Sequence, residues 1–223
     1  MRNLILTIFS LFVINSYSQS TVKVYFKDVA DGCAKDLFYS RNEAKNQGDT
    51  ATAKELTYKL TNNCIKGKYL SNLSFKTLDK EILETDSILK PMVITIAAPW
   101  CPPCWTEIYA LNTLVDKYDD QIEFIVLFWD KKSNLKKMIP KYDKRIHLVA
   151  AKKAYEEIQE NPDYGNGFKH TLGVPNSYIL DNKKKIVNFS MGAVYPDKTI
   201  SQEEANKKNI ALLECAIQPI LNE

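Results

Sequence analysis

Cys101-Pro102-Pro103-Cys104 is the stretch of this 223-residue chain whose residue types and spacing most directly promise chemistry. A thiolate is the nucleophilic form of cysteine, and two thiols this close interconvert with a disulfide by a two-electron exchange. The competing chemistry is metal binding, because a lone C-x-x-C is also half of a zinc site. Such a site needs four ligands, and the chain offers no second C-x-x-C. Its two histidines, His147 and His170, stand far apart in sequence. The spacing therefore favours a redox couple and assigns no metal ligands.

The neighbouring residues define the elements that hold the pair. Residues 92–98, Met-Val-Ile-Thr-Ile-Ala-Ala, read as a buried strand. Residues 106–118 place Ile108, Leu111, Leu114, Val115 and Tyr118 at helical spacing. Cys101 thus falls just before a first helical turn, where unpartnered N–H groups and the positive end of the helix dipole favour an anion. Its thiol is expected to titrate below the ordinary ~8.5. Pro102 and Pro103 suit a first turn, since the N–H groups they lack have no helical partner there. Position predicts an exposed, attacking Cys101 and an inward-pointing, resolving Cys104, whose pKa burial raises.

At these residues a resemblance becomes specific. Trp100-Cys101-Pro102-Pro103-Cys104 after an apolar strand resembles the thioredoxin superfamily. Glu107 completes the W-C-x-P-C-x-x-E string of its extracytoplasmic TlpA/ResA-type branch. Residues 173–181, Gly-Val-Pro-Asn-Ser-Tyr-Ile-Leu-Asp, are similar to that family's cis-proline loop and following strand. The similarity spans about residues 73–223 and departs at Ala97, Ala98 and Pro99, where the branch commonly has an aromatic, Ala and Ser or Thr. The resemblance implies a protein thiol–disulfide oxidoreductase, working as a reductase, with no cofactor beyond its cysteines. It implies a tuning and proton-accepting role for Glu107 and a cis peptide at Pro175. Val174 would offer backbone hydrogen bonds to an extended substrate, and Trp100 would wall the docking surface. The implied partners are a disulfide-containing client protein and an electron-donating thiol–disulfide protein, a membrane-bound donor included; nucleic acid is not among them. Two alternatives belong to the same superfamily. Copper-handling relatives usually carry three residues between the cysteines, where this chain has two. Peroxide-reducing relatives place Thr or Ser three residues before the nucleophile, where this chain has Ala98 before Cys101 and Cys101 before Cys104.

The rest of the chain supplies the setting. Residues 1–18 have a basic start, about eleven apolar residues and small residues at Ser16 and Ser18, which predicts a signal peptide cleaved near Ser18 and an exported, periplasmic protein. The apolar run is well short of the ~20 residues that span a bilayer. With 45% hydrophobic residues, 26% charged and a net charge of +3, the chain carries enough apolar content for a core. Its charge is too small and too scattered to argue for nucleic acid. Residues 19–72 read as a helical appendage, with helices over 33–45 and 50–65 about a turn at Gly48-Asp49. Cys33 and Cys64 lie nearly equidistant from that turn, so an antiparallel hairpin brings them together as a structural disulfide. Residues 73–223 form the thioredoxin-like domain. A β-hairpin is expected over 73–82, strands at 122–129 and 146–150, and a strand pair at 177–180 and 186–191. Helices are expected over 131–138, 151–159 and 202–221, with a surface loop at 161–167. This alternation matches an α/β thioredoxin fold, a central mixed sheet flanked by helices, with the helical hairpin appended. Cys215 has no evident partner, lies beside the buried face of the last helix and reads as a small hydrophobe with no assigned function.

Overall fold

Strand β3 (Met92–Ala97) is buried at every position, as a run apolar but for Thr95 requires of a strand covered on both faces, and the Thr95 hydroxyl is hydrogen-bonded to that of Ser177 at 2.7 Å. The protein is seen here in a computed structural model that describes residues 22–158, 162, 164 and 167–221. The signal-peptide segment, residues 1–18, lies outside the described residues, as does most of the 161–167 loop. β3 pairs in parallel with β4 (Glu123–Lys131), from Met92 opposite Glu123 to Ala97 opposite Phe128. β4 pairs in parallel with β5 (His147–Ala151). On the other side, β6 (Asn176–Leu180) runs antiparallel to β3, and β7 (Ile186–Met191) antiparallel to β6. The sheet order is β5-β4-β3-β6-β7, a mixed sheet of thioredoxin type. Between β6 and β7 the Asp181 carboxylate accepts from the backbone N–H groups of Lys183 and Lys185, which closes the turn.

Helices flank this sheet. The helix after β3 (Pro102–Tyr118) begins four residues earlier than the apolar periodicity marks, because the two prolines fill its first turn. It packs beside the last helix (Gln202–Leu221), which lies across β6 and β7. Cys215 lies beside the buried stripe of Leu213, Ala216, Ile217 and Ile220 and is exposed. Among the described residues no helix is long and apolar enough to cross a membrane.

Two expected helices shrink. β4 continues to Lys131, and only 3-10 turns follow at Lys132–Leu135 and Ile139–Lys141. Pro140 cannot donate within a helix and disfavours the helical conformation at the residue before it. The Asp130 carboxylate also takes hydrogen bonds from Lys131 N and Asn134 Nδ2, which holds a tight turn there. After β5 has taken Ala151 into the sheet, helix among the described residues stands at Tyr155–Ile158.

Ahead of the sheet stand helices α1 (Lys35–Asn46) and α2 (Thr50–Lys59), packed against each other. Gly48 adopts φ 79° after the first, and Asp49 caps the second by accepting from Thr52 N at 3.0 Å. π-helical turns at Ala30–Ala34 and Leu60–Ile65 extend the pair and carry Cys33 and Cys64, which are bonded. The hairpin shares the main core: Phe26, Leu60, Cys64 and Ile65 are buried in one cluster with β3 and β4. Its exit segment is laced to the start of β7, Gly67 N and Leu70 N donating to Ile186 O and Lys184 O, and Ile186 N donating to Lys68 O. These bonds cover part of an otherwise open sheet edge. A short ribbon, Ser74–Lys76 with Ile82–Glu84, follows where the β-hairpin was expected.

Candidate redox site

Cys101 is the N-cap of the helix that follows β3, with extended backbone at φ −99° and ψ 104°. Its Sγ accepts a hydrogen bond from Cys104 N at 3.2 Å, a first-turn N–H that it shares with Cys101 O at 3.1 Å. The same N–H and the helix dipole will stabilise a thiolate when the pair is reduced. In the structure Cys101 and Cys104 are bonded, with Cα atoms 5.4 Å apart. The expected exposure of Cys101 is not met in this oxidised state: Cys101 is 4% exposed and Cys104 1%. Trp100 takes the surface position instead, 43% exposed and packed against Tyr155 with ring centroids 4.3 Å apart and the planes tilted by 42°. Together with Pro99, Pro102, Trp105 and Tyr195 it lines a shallow aromatic cleft beside the cysteines.

Glu107 lies three residues beyond Cys104, one turn along the helix, and is only 3% exposed. Burial pushes its carboxyl from the ordinary 4.5 up to about 8, so at neutral pH it holds a proton. Tyr142 is buried within its electrostatic reach, and the phenol is pushed upward by burial and by the Glu107 charge. An ordinary solvent-facing glutamate at this position is therefore excluded.

The loop opposite is built around the cis peptide Val174–Pro175. The register sets Asn176 across from Ile96 near the end of β3, which carries Pro175 toward the cysteine turn. Gly173 before it has φ 73°, a conformation that favours glycine, and a Cβ there would sit 3.1 Å from the Phe38 ring of α1. His170 is fully buried, and burial lowers its pKa to about 4, so the ring is neutral. Nε2 donates to Gly173 O at 2.6 Å, which leaves Nδ1 to accept from the Tyr178 hydroxyl at 2.8 Å. Asn176 Nδ2 donates to the same carbonyl and to Leu172 O. His170 thus ties the proline loop to β6 through its two ring nitrogens. His147 sits on β5 with its ring 2.7 Å from Glu123 and does not join the site. Among the described residues no three His, Cys, Asp or Glu side chains are grouped to hold a metal.

Trp100, Cys101, Cys104, Glu107, Val174 and Pro175 are thus gathered about one end of β3, while Cys33 and Cys64 lie in the helical hairpin. Sequence reasoning missed the contribution of α1. Phe38, Arg41, Asn42 and Lys45, at i, i+3, i+4 and i+7, share the lining of a groove of about 310 Å³ with Pro103, Val174 and Pro175. The only sequence signal was a helix face that mixes an aromatic with two cations rather than leucines.

A profile of the AhpC/TSA family matches residues 66–189, a span that contains β3, both cysteines and the proline loop. The chain belongs to the AhpC/TSA family. Within wider comparisons it is 26% identical to the thioredoxin-like protein YneN of Bacillus subtilis over 149 residues, 64% of this chain and 78% of that one. A solution structure from Bacteroides thetaiotaomicron, described as a protein disulfide isomerase, shares the fold at TM-score 0.51 and 17% identity, over 71% of this chain and 91% of that one. A DsbE-type thiol:disulfide interchange protein from Chlorobium tepidum aligns at TM-score 0.45 and 16% identity, over 66% of this chain and 97% of that one. For this AhpC/TSA member, family, fold and a bonded C-x-x-C pair at the strand–helix junction identify a thioredoxin-like thiol–disulfide oxidoreductase.

Proposed function

We propose that the protein is exported and reduces disulfides in client proteins, with Cys101 as nucleophile and Cys104 as resolving thiol. The observation that carries this reading is Cys101 at the N-cap, bonded to Cys104 and facing a first-turn N–H. In the reduced enzyme the Cys101 thiolate attacks one sulfur of the client disulfide. A mixed disulfide forms, and the other client sulfur leaves as a thiolate that takes a proton from water. Cys104 then gives up its proton and attacks Cys101 Sγ, which releases the second client thiol and regenerates the Cys101–Cys104 bond. Two electrons and two protons have passed to the client. An electron-donating dithiol protein reverses the sequence at Cys101, and Cys104 leaves as a thiolate.

Glu107 is the group suited to both proton movements of Cys104. With its carboxyl raised to about 8, its proton affinity lies close to that of a thiol. Its ionised fraction, the minority at neutral pH, receives the proton when Cys104 attacks, and its protonated form returns one when Cys104 leaves. Val174 and Pro175 would receive an extended client segment, with Trp100 as a flat apolar rim. The basic start and short apolar run of residues 1–18 support export.

The test is insulin reduction driven by dithiothreitol. Wild-type protein accelerates it, Cys101→Ser abolishes the acceleration, and Cys104→Ser accumulates client cross-linked through Cys101. Full activity in Cys101→Ser would overturn the assignment. A reduction potential near that of thioredoxin, about −270 mV, fits a reductase, whereas one near about −120 mV marks an oxidant.

A further inference from the structure

We infer that the helical hairpin is the specificity wall of the client groove, and that it selects client segments carrying acidic side chains beside the disulfide. The inference rests on the reductase reading above and adds to it a class of client.

The groove beside the active-site turn has two unlike walls. One is Pro103 with the Val174–Pro175 loop; the other is the α1 face of Phe38, Arg41 and Lys45. The second wall is fixed rather than loosely apposed. Phe38 packs on Gly173, the residue before Val174, and the hairpin behind it is closed by the Cys33–Cys64 bond. A client strand laid along Val174 therefore runs beside α1.

The charge on that wall has one sign. Arg41 is steadied by Asn42 Oδ1 at 2.8 Å and by Thr57 Oγ1 at 3.4 Å, both neutral partners. Among the described residues neither Arg41 nor Lys45 has a carboxylate at ion-pair distance, whereas Lys59 is paired with Glu55. Two other hairpin carboxylates have partners of their own: Glu43 accepts from Gln47, and Asp49 caps α2. Over the crest Lys54 joins Arg41 and Lys45 around a second hollow and extends the positive surface. Two unpaired cations flanking a groove attract carboxylates within a Debye length and steer their approach.

Two synthetic peptides provide the test, with identical disulfide rings flanked by aspartates in one and lysines in the other. The readout is the ratio of their kcat/KM values, which does not depend on the fraction of active enzyme. In dilute buffer wild type should favour the acidic peptide by about fivefold, the scale of two exposed charge contacts. Arg41→Gln with Lys45→Gln should bring the ratio near one, Arg41→Glu with Lys45→Glu should invert it, and about 0.5 M salt should flatten it. Reduction of both peptides by wild type at equal rates overturns the inference alone. A preference that both double variants retain does the same. So does a dimer in sedimentation that the charge-reversed variant dissociates, which would assign the wall to a second copy of the chain. If wild type reduces neither peptide, the reductase reading itself falls and this inference with it.

Discussion

At the scale of single residues, burial separates Glu107 from the other glutamates. The step from Cys104 to Glu107 is readable in the sequence because it is local, and so are the cysteine pair and its prolines. The carboxyl's isolation from water is not readable, since it depends on the long-range packing that also encloses Tyr142 within its electrostatic reach. His170 shows the same limit: its buried bonds to Gly173 and Tyr178 exist only once the loop has folded over it. The raised pKa of Glu107 has a thermodynamic consequence. Its folded value, about 8, lies above the ordinary 4.5, so between those values the folded state holds a proton that the unfolded state has lost. The associated stability is fully present below about 4.5 and is lost as pH rises through about 8. Glu107→Gln removes this loss. Urea denaturation of the oxidised protein should find little difference from wild type near pH 4. Near pH 9 the variant should be more stable by a few kcal/mol, because each tenfold change in proton affinity is worth about 1.4 kcal/mol. In stopped-flow kinetics the same variant should slow resolution by Cys104 and alter its pH dependence, while initial attack by Cys101 changes less. Parallel stability and rate profiles for the two proteins would reduce Glu107 to a packing residue.

At the scale of elements, legibility follows the strength of the local pattern. β3 and the active-site helix were plain because a continuous apolar run and a 3.6-residue period each have one good structural solution. The helices expected at 131–138 and 151–159 are shorter than expected: strand pairing takes Lys131 into β4 and Ala151 into β5, a 3-10 turn stands in the first span, and helix follows at Tyr155–Ile158 in the second. The α1–α2 hairpin succeeded through turn chemistry at Gly48-Asp49, and with it the approach of Cys33 to Cys64. That bond closes a loop of 31 residues in sequence separation, which corresponds to about 3–4 kcal/mol of unfolded-state entropy. Replacing both cysteines with alanine should lower the melting temperature by about 10 °C. Turnover of a small synthetic disulfide at room temperature should stay within about twofold, since the proposed reaction exchanges electrons through Cys101 and Cys104 alone. A melting temperature that does not move would show the bond to be dispensable for stability.

At the scale of the whole molecule, the appended hairpin and the sheet answer to one core. Sequence placed the hairpin correctly but gave no sign of this continuity, because the contacts join segments more than a hundred residues apart. Leu60 is fully buried at the end of the hairpin, in the cluster that also contains Phe26, Phe75, Tyr178 and Ile186. The exit segment adds backbone hydrogen bonds to Lys184 and Ile186 at the sheet edge. Loosening the hairpin therefore strips cover from β7 and from the loop that carries Pro175, so the two parts should unfold together. Leu60→Ala provides the test, since it leaves a cavity at this junction worth about 2–5 kcal/mol and touches no redox residue. The loss should appear equally in tryptophan fluorescence, which reports on Trp100, Trp105 and Trp129 in the main body, and in far-ultraviolet circular dichroism, which includes the hairpin helices. Both signals should fall in one transition with an unchanged denaturant slope. If the dichroism transition came first and the fluorescence midpoint stayed at its wild-type value, the hairpin would be an independent unit, and its hold on the groove beside Val174 would be correspondingly weak.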